Sequence, residues 1–261
     1  MVNVRNPAVA GLFYPVDPRE LRAMITDFLG AVPAAGIVPK AIIAPHAGYI
    51  YSGPVAASAY ARLKPARGHI TRVVLLGPAH RVGFHGLALP SADYFMTPLG
   101  RIAVDQEAVK KISLLPHVRV MDAAHAQEHS LEVHLPFLQE ALGEFSLVPL
   151  VVGDAGPEEV GEVLDLLWGG PETLIVISSD LSHYHDYKTA QKLDRATSQA
   201  IEKLRPEDID YDHACGRNPV NGLLHVARRL GLKAKTVDLR NSGDTAGSHE
   251  RVVGYGAYVF E

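Results

Sequence analysis

The chain has 261 residues, of which 47% are hydrophobic and 21% charged, and its formal net charge is −4 at pH 7. A chain of this size buries about three quarters of its unfolded surface, so we expect one folded domain over residues 1–261. The near balance of charges excludes a strongly basic surface for nucleic acid or an anionic membrane. The single cysteine, Cys215, excludes a disulfide scaffold and a four-cysteine zinc site, whereas the 13 histidines are conspicuous.

The first residues of the chain do not follow the pattern of a secretory signal, in which a basic stretch precedes an apolar one. No apolar run approaches the roughly 20 residues that a membrane-spanning helix needs. We therefore expect a cytoplasmic protein with neither a membrane nor a nucleic acid as its partner.

Short and continuous apolar runs predict strands that are buried on both faces of a sheet. Segments with helical spacing separate these runs, which is typical of an α/β fold. We therefore predict a central, mostly parallel or mixed β-sheet flanked by helices. The predicted strands are 40–44, 72–76, 147–152, 173–177 and 252–260. The predicted helices are 18–30, 53–63, 105–113, 128–142, 157–168, 187–204 and 219–230.

Histidines follow three of the predicted strands. His46 comes after the first strand, His80 after the second, and His183 beyond the strand at 173–177. Ligands of open α/β sheets bind beyond the carboxyl ends of the strands, so we expect these three histidines at one edge of the sheet. Asp244 lies in a glycine-bearing loop before the last strand and would add a carboxylate there.

Two imidazoles and one carboxylate are the ligand set of many non-haem Fe(II) enzymes, because they leave adjacent coordination positions open. We therefore predict a metal site of His46, His80 and Asp244, with Fe(II) as the expected ion. Zinc with an open water position, which would support hydrolysis, and copper are alternatives that the spacing does not separate from iron.

Three further side chains are candidates for catalysis. Asp180 and His183 are three residues apart, so the carboxylate can either coordinate the metal or orient an imidazole that transfers protons. We assign His183 as the acid/base group, although Ser179 or Asp180 could also cap the following helix. His129 follows Glu128 at the start of a predicted helix, where the helix dipole favours a neutral imidazole.

Other features of the sequence give weaker indications. Cys215 has His213 two residues away, but a catalytic thiol needs a histidine that is close in space, so we place Cys215 outside the expected ligand loop. The glycines near Tyr49 and Tyr51 form no phosphate-binding pattern, which disfavours a nucleotide fold. Tyr49, Tyr51 and Tyr94 are candidates for aromatic walls around a small ligand.

Six motifs and one tyrosine occur in an order that is characteristic of one family. They are RNPAVAGLFYP at 5–15, APHAGYIYSG at 44–53, LGPAH at 76–80, EHSLEVHLP at 128–136, SSDLSH at 178–183, NSGD at 241–244 and Tyr255. Through them the chain resembles the Memo family over nearly its whole length. The resemblance implies a fold similar to that of the class III extradiol dioxygenases, the non-haem iron enzymes that open catechol rings.

The resemblance also implies roles for particular residues. In the family, the histidines matching His46 and His80 line a metal-binding pocket, and the residues matching Asp180 and His183 lie beside them. Animal members are similar but place a cysteine in the last loop of the site, where this chain has Asp244. The resemblance therefore implies a site without a thiol, closer to an Fe(II) dioxygenase and unsuited to thiol-dependent copper or redox chemistry.

The leading interpretation is a metal-binding protein with two histidines and one carboxylate in its pocket, acting as a dioxygenase-like oxidoreductase on a small aromatic diol. The first alternative is a non-catalytic protein that uses the pocket to bind a small molecule or a phosphopeptide, because the animal relatives are associated with signalling. Arg81 is then the nearest cation for a phosphate. The second alternative is a zinc-dependent hydrolase.

Overall fold

The computed structural model describes residues 2–33 and 36–261, which form a mixed 12-stranded sheet flanked by helices. The strands are β1 Val4–Arg5, β2 Ala41–Ala44, β3 Arg72–Pro78, β4 Leu87–Leu89, β5 Tyr94–Thr97, β6 Gly100–Val104, β7 Val118–Val120, β8 Ser146–Val152, β9 Thr173–Ser178, β10 His183–His185, β11 Ala234–Asn241 and β12 Val252–Phe260. The helices are α1 Pro18–Gly30, α2 Tyr49–Tyr60, α3 Gln106–Ile112, α4 Asp122–Ala126, α5 Leu135–Leu142, α6 Pro157–Leu167, α7 Tyr187–Glu202 and α8 Arg217–Leu230.

The centre of the sheet consists of four parallel strands in the order β8, β3, β9 and β2. Nearly every residue of these strands is buried, as their continuous apolar runs require. All four strands lie where the sequence predicts them. The predicted α/β fold with a mixed sheet is therefore confirmed.

Strand β12 extends this centre in the opposite direction, because it pairs antiparallel with both β2 and β11. Its first residues therefore lie at the edge of the sheet where the parallel strands end. The short strand β10 pairs with β12 at that same edge. The carboxyl ends of β2, β3 and β9, the start of β12 and all of β10 thus meet in one place.

The helices follow local rules that the sequence displays. Helix α1 begins after Asp17, whose side chain accepts hydrogen bonds from the first turn of backbone N–H groups. Leu21, Ile25 and Leu29 recur every four residues on its buried face. In the ranges that the structure describes, we find no helix of the length and apolarity needed to cross a membrane.

The predicted helix over 128–142 begins later than expected. Helix α5 covers only Leu135–Leu142, after a single 3-10 turn at Glu132–His134. The Glu128 carboxylate accepts hydrogen bonds from the backbone N–H groups of residues 129 and 130, which holds this part of the chain in a loop. The expected helix dipole at His129 is therefore absent, and other contacts determine its properties.

Candidate metal centre

Three loops bring histidines and a carboxylate together at the carboxyl edge of the sheet. His46 follows β2, His80 follows β3, and Asp180 follows β9. The ring centroids of His46 and His80 are 5.2 Å apart, and the backbone N–H of His46 donates to Asp180 Oδ1 at 2.8 Å. The parallel arrangement of the strands thus produces the cluster that the sequence predicts for His46 and His80.

A hydrogen-bond chain fixes the orientation of the His46 ring. Ser178 Oγ donates to the carbonyl oxygen of Ser130 at 2.7 Å, so its lone pairs remain for His46 Nδ1 at 2.5 Å. Because the Ser178 hydroxyl has only one hydrogen and donates it to Ser130, His46 Nδ1 must carry the hydrogen of this second bond. His46 Nε2 is then unprotonated. Burial, reinforced by the neighbouring histidines, lowers the pKa of His46 well below its usual value, so the ring is neutral.

A buried carboxylate fixes the orientation of the His80 ring in the same way. Glu128 Oε2 accepts the backbone N–H of His80 at 2.6 Å, and Glu128 Oε1 lies 2.9 Å from His80 Nδ1. Burial alone would raise the pKa of Glu128, but the hydrogen bonds from His80 outweigh it and lower this pKa to about 2. Glu128 is therefore an anion that holds the Nδ1 hydrogen of His80 and leaves Nε2 free, as in many metal-binding histidines.

The third member of the group is Cys215, which the sequence analysis placed outside the site. Its Sγ lies 3.5 Å from His46 Nε2, and the ligand atoms of His46, His80 and Cys215 all lie within 4.8 Å of one another. Gly216 permits this approach, because a Cβ there would lie 2.4 Å from the carbonyl oxygen of Ser178. The inference that the site has no thiol is therefore wrong.

The chemistry of this donor set fits a first-row transition-metal ion. Imidazole nitrogen suits iron, zinc, copper and nickel, and thiolate sulfur favours zinc and copper while also binding iron. Burial and the nearby Asp180 raise the pKa of the Cys215 thiol, so it is neutral when no cation is bound. A metal ion at His46, His80 and Cys215 would displace that proton.

Two more imidazoles extend the cluster. The ring of His129 stacks on that of His80 with centroids 4.6 Å apart, and burial together with His80 lowers the pKa of His129 to about 4. His134 Nδ1 lies 2.7 Å from the hydroxyl oxygen of Tyr60, and burial lowers the pKa of His134 to about 3. His134 Nε2 is buried without a hydrogen-bond partner in the described parts of the chain. Both rings are neutral at physiological pH.

The predicted acid/base pair is Asp180 and His183, and Asp180 Oδ2 lies 3.9 Å from His46 Nε2. His183 Nδ1 is 2.8 Å from the carbonyl oxygen of Leu181 and donates to it, which leaves His183 Nε2 unprotonated in the neutral ring. Asp180 is buried, and burial raises the pKa of its carboxyl group against the opposing effect of His183. The structure therefore brings Asp180, His183 and His129 to the same edge of the sheet as His46 and His80.

Asp244 is not brought into this cluster. It lies in a 3-10 turn at Ser242–Asp244, where its carboxylate accepts hydrogen bonds from the Tyr187 hydroxyl and, at 2.9 Å, from the backbone N–H of Asn241. Over residues 2–33 and 36–261, neither group of three metal-ligating side chains within 4.8 Å includes Asp244. Its carboxylate is exposed and closes its own loop, which differs from the ligand role that the sequence predicts.

Sequence reasoning missed three contributions to the site: the thiol of Cys215, the carboxylate of Glu128 as a partner of His80, and the hydroxyl of Ser178. Two of them are visible in the sequence once the strand ends are placed. Ser178 is the last residue of β9, and Glu128 directly precedes the candidate His129. Cys215 has no such marker except the glycine that follows it.

Comparison with known proteins agrees with this fold along nearly the whole chain. The family profile described as Memo-like protein matches residues 5–259. A MEMO1 family protein of Aquifex aeolicus is 40% identical in an alignment of 270 positions that covers 99% of this chain and 100% of the relative. MEMO1 family proteins of Methanopyrus kandleri and Ignicoccus hospitalis are 35% and 36% identical, each over 98% of both chains. Because the match includes every loop of the histidine cluster, this chain belongs to the Memo family.

Proposed function

We propose that the protein is an Fe(II)-dependent oxidoreductase that acts with O₂ on a small aromatic diol, with His46, His80 and Cys215 as the metal ligands. The supporting observation is the tautomer of the two imidazoles. Each has its Nδ1 hydrogen committed to an oxygen, Ser178 for His46 and Glu128 for His80, so each offers an unprotonated Nε2. One ring nitrogen of each histidine lies within 4.8 Å of the other and of the Cys215 sulfur, and for His46 the nitrogen nearest the sulfur is Nε2.

Bound Fe(II) would supply adjacent open positions for a diol and O₂. The chain's own residues would position the diol and take up its proton. His183 Nε2 is available to accept a proton from a hydroxyl group, because its Nδ1 hydrogen is held by the Leu181 carbonyl. His129 stays neutral at physiological pH, with a pKa lowered to about 4 by burial, and can accept a hydrogen bond from the same ligand.

Metal binding is tested by titrating anaerobically purified protein with Fe(II). We expect one iron per chain in the wild-type protein and loss of this stoichiometric binding in the His46→Ala/His80→Ala double variant. His69→Ala is the matched control, because His69 is exposed and precedes β3, at the end of that strand opposite His80. Equal iron binding by the double variant and the wild-type protein would contradict the proposal.

Turnover is tested separately by O₂ uptake with a panel of catechols. The proposal expects uptake with at least one catechol by the iron-loaded protein. The His183→Ala variant should bind one iron and lose most of this uptake, because it lacks the proton acceptor. An iron-loaded wild-type protein that consumes no O₂ with any catechol would contradict the oxidoreductase function while leaving metal binding intact.

A zinc-dependent hydrolase is the second candidate, and the observation that favours it is the thiol. Sulfur in place of a carboxylate is common among zinc ligands, and catalytic zinc sites combine three protein ligands with one water. Zinc that survives washing with a chelator, together with esterase or amidase turnover and no O₂ uptake, would support this candidate against the first.

A further inference from the structure

Tyr184 has a backbone conformation that L-amino acids avoid. Its φ is +62°, in the left-handed region, and among the described residues only Tyr184 and Leu204 adopt a positive φ without being glycine. This conformation is unfavourable because Cβ approaches the following carbonyl oxygen. A side chain kept at such a position needs either packing or function to explain it.

The strain arises from a bulge in the pairing of β10 with β12. His183 pairs with Val253 and His185 with Val252, so Tyr184 is the extra residue on β10. In bulges with a left-handed residue, that residue is usually glycine, because glycine has no Cβ to collide. Here the position carries one of the largest side chains instead.

Packing explains the strain at Leu204 but not at Tyr184. Leu204 lies just beyond the end of α7, where a left-handed residue commonly ends a helix, and its side chain packs against the hydrophobic core. Tyr184, by contrast, is 62% exposed. Among the described residues, its ring interacts with the His183 ring, 5.7 Å away and nearly perpendicular, and with the Arg251 guanidinium, 5.2 Å from its centroid.

These contacts place the Tyr184 ring directly beside one histidine of the candidate site. Its edge-to-face partner is His183, the candidate proton acceptor. Tyr51, in the first turn of the helix that follows His46, is also partly exposed.

We propose that Tyr184 is a specificity-determining residue that contacts the ring of a planar aromatic substrate beside His183. The bulge turns the side chain outward next to His183, and the Arg251 guanidinium holds the ring in that place. An aromatic ring recognises another ring through offset or edge-to-face packing, a contact that an aliphatic diol does not form. The inference rests on the proposed function, because it concerns the substrate of that same site.

The test compares affinity with stability in full-length protein loaded anaerobically with one Fe(II) per chain. The probe is 4-nitrocatechol, whose absorbance reports its binding to iron, and stability is measured by urea unfolding. Tyr184→Gly and Tyr184→Asn should bind the probe about tenfold more weakly, since they lose one aromatic contact. The same two variants should unfold at higher urea concentration, because glycine and asparagine tolerate the left-handed backbone.

Two controls separate the ring from the backbone. Tyr184→Phe keeps the ring and should bind the probe within about threefold of the wild-type protein, a change well below the loss expected for a missing aromatic contact. Leu204→Gly relieves the other left-handed position and should leave probe affinity unchanged. All variants should retain one iron per chain, which shows that the metal ligands are still in place.

Opposite changes in affinity and stability are the result that supports the inference, since a purely structural residue would not produce them. If the wild-type protein binds the probe and Tyr184→Gly binds it equally well, the inference is wrong while the proposed function stands. A loss of stability in both Tyr184→Gly and Tyr184→Asn would overturn the argument from strain. If the iron-loaded wild-type protein does not bind 4-nitrocatechol, the proposed function fails and the inference fails with it.

Discussion

The segment Glu128–Glu132 and the loop of Asp244 both carry carboxylates near the carboxyl edge of the sheet, yet they are built differently. Glu128 and Glu132 are buried, and hydrogen bonds occupy their oxygens. Asp244 is exposed and bonds to Tyr187 and to the backbone of its own turn. Position along the chain brings a carboxylate to an edge, but burial and side-chain direction decide whether it acts on the site.

Glu132 connects the segment Glu128–Glu132 to the first residues of the chain. Its carboxylate pairs with the buried Arg5 and accepts the backbone N–H groups of Ala8 at 2.7 Å and Val9 at 3.0 Å. It also accepts the Tyr14 hydroxyl at 2.5 Å. These bonds tie the first residues of the chain to the loop that follows Glu128. The Phe13 ring consequently packs 4.9 Å from the ring of His129.

The largest expected effect is therefore on stability in the buried region. Glu132→Gln removes the charge that compensates buried Arg5 and should lower the free energy of unfolding by about 3–5 kcal/mol. Glu140→Gln is the matched control, because its ion pair with Arg22 lies at the surface and should contribute less than about 1 kcal/mol. Urea unfolding measures both, and equal losses would erase the contrast between buried and exposed carboxylates.

The buried histidine His125 should make the free energy of unfolding depend on pH. His125 precedes Glu128, and burial lowers its pKa from 6.5 to about 4. As the pH falls, His125 takes up a proton at a higher pH in the unfolded chain than in the folded one. Its contribution to the free energy of unfolding is therefore fully present above pH 6.5 and is lost as the pH falls towards 4, by about 3 kcal/mol.

The check is urea unfolding across that pH range with His125→Gln, whose amide can replace the hydrogen bond from His125 Nε2 to the Ala88 carbonyl. The variant should lose less stability between pH 6.5 and 4 than the wild-type protein. His249→Gln, which changes an exposed histidine beside the Asp244 loop, is the matched control. A pH profile of His125→Gln that matches the wild type would contradict the role of burial.

A smaller effect is expected on metal affinity from Glu128. Glu128→Gln removes the anion that holds the Nδ1 hydrogen of His80, and loss of such a partner usually weakens metal binding by about 10–100-fold. The affinity is measured by anaerobic Fe(II) titration against a competing chelator. Unchanged affinity in a folded Glu128→Gln variant would show that the carboxylate does not prepare His80.

The smallest effect is expected from Asp244. Asp244→Asn keeps an oxygen that accepts hydrogen bonds in the turn, so the free energy of unfolding should change by less than about 1 kcal/mol. Its Fe(II) affinity should match that of the wild-type protein, since Cys215 rather than Asp244 lies with His46 and His80. Loss of iron binding in this variant would restore the carboxylate as a ligand and remove the contrast between the two regions.

The sequence predicts the parts of the site that follow from regular structure. Buried parallel strands have a distinctive composition, and their ends fix the positions of His46 and His80. Cys215 could not be placed in the same way, because it is 169 residues from His46 in the chain and reaches it through a loop packed against the end of β9. The helix expected from Glu128 does not form, because the Glu128 carboxylate accepts hydrogen bonds from backbone N–H groups and from His80.

The central claim is that Cys215 completes the ligand set of His46 and His80. Its most direct test is the absorption spectrum of the protein loaded with Co(II), in which a coordinated thiolate gives an intense near-ultraviolet charge-transfer band. We predict this band at one cobalt per chain in the wild-type protein and in Asp244→Asn, and its absence in Cys215→Ala. A wild-type protein that binds one cobalt without the band, or a Cys215→Ala variant that retains it, would contradict the account.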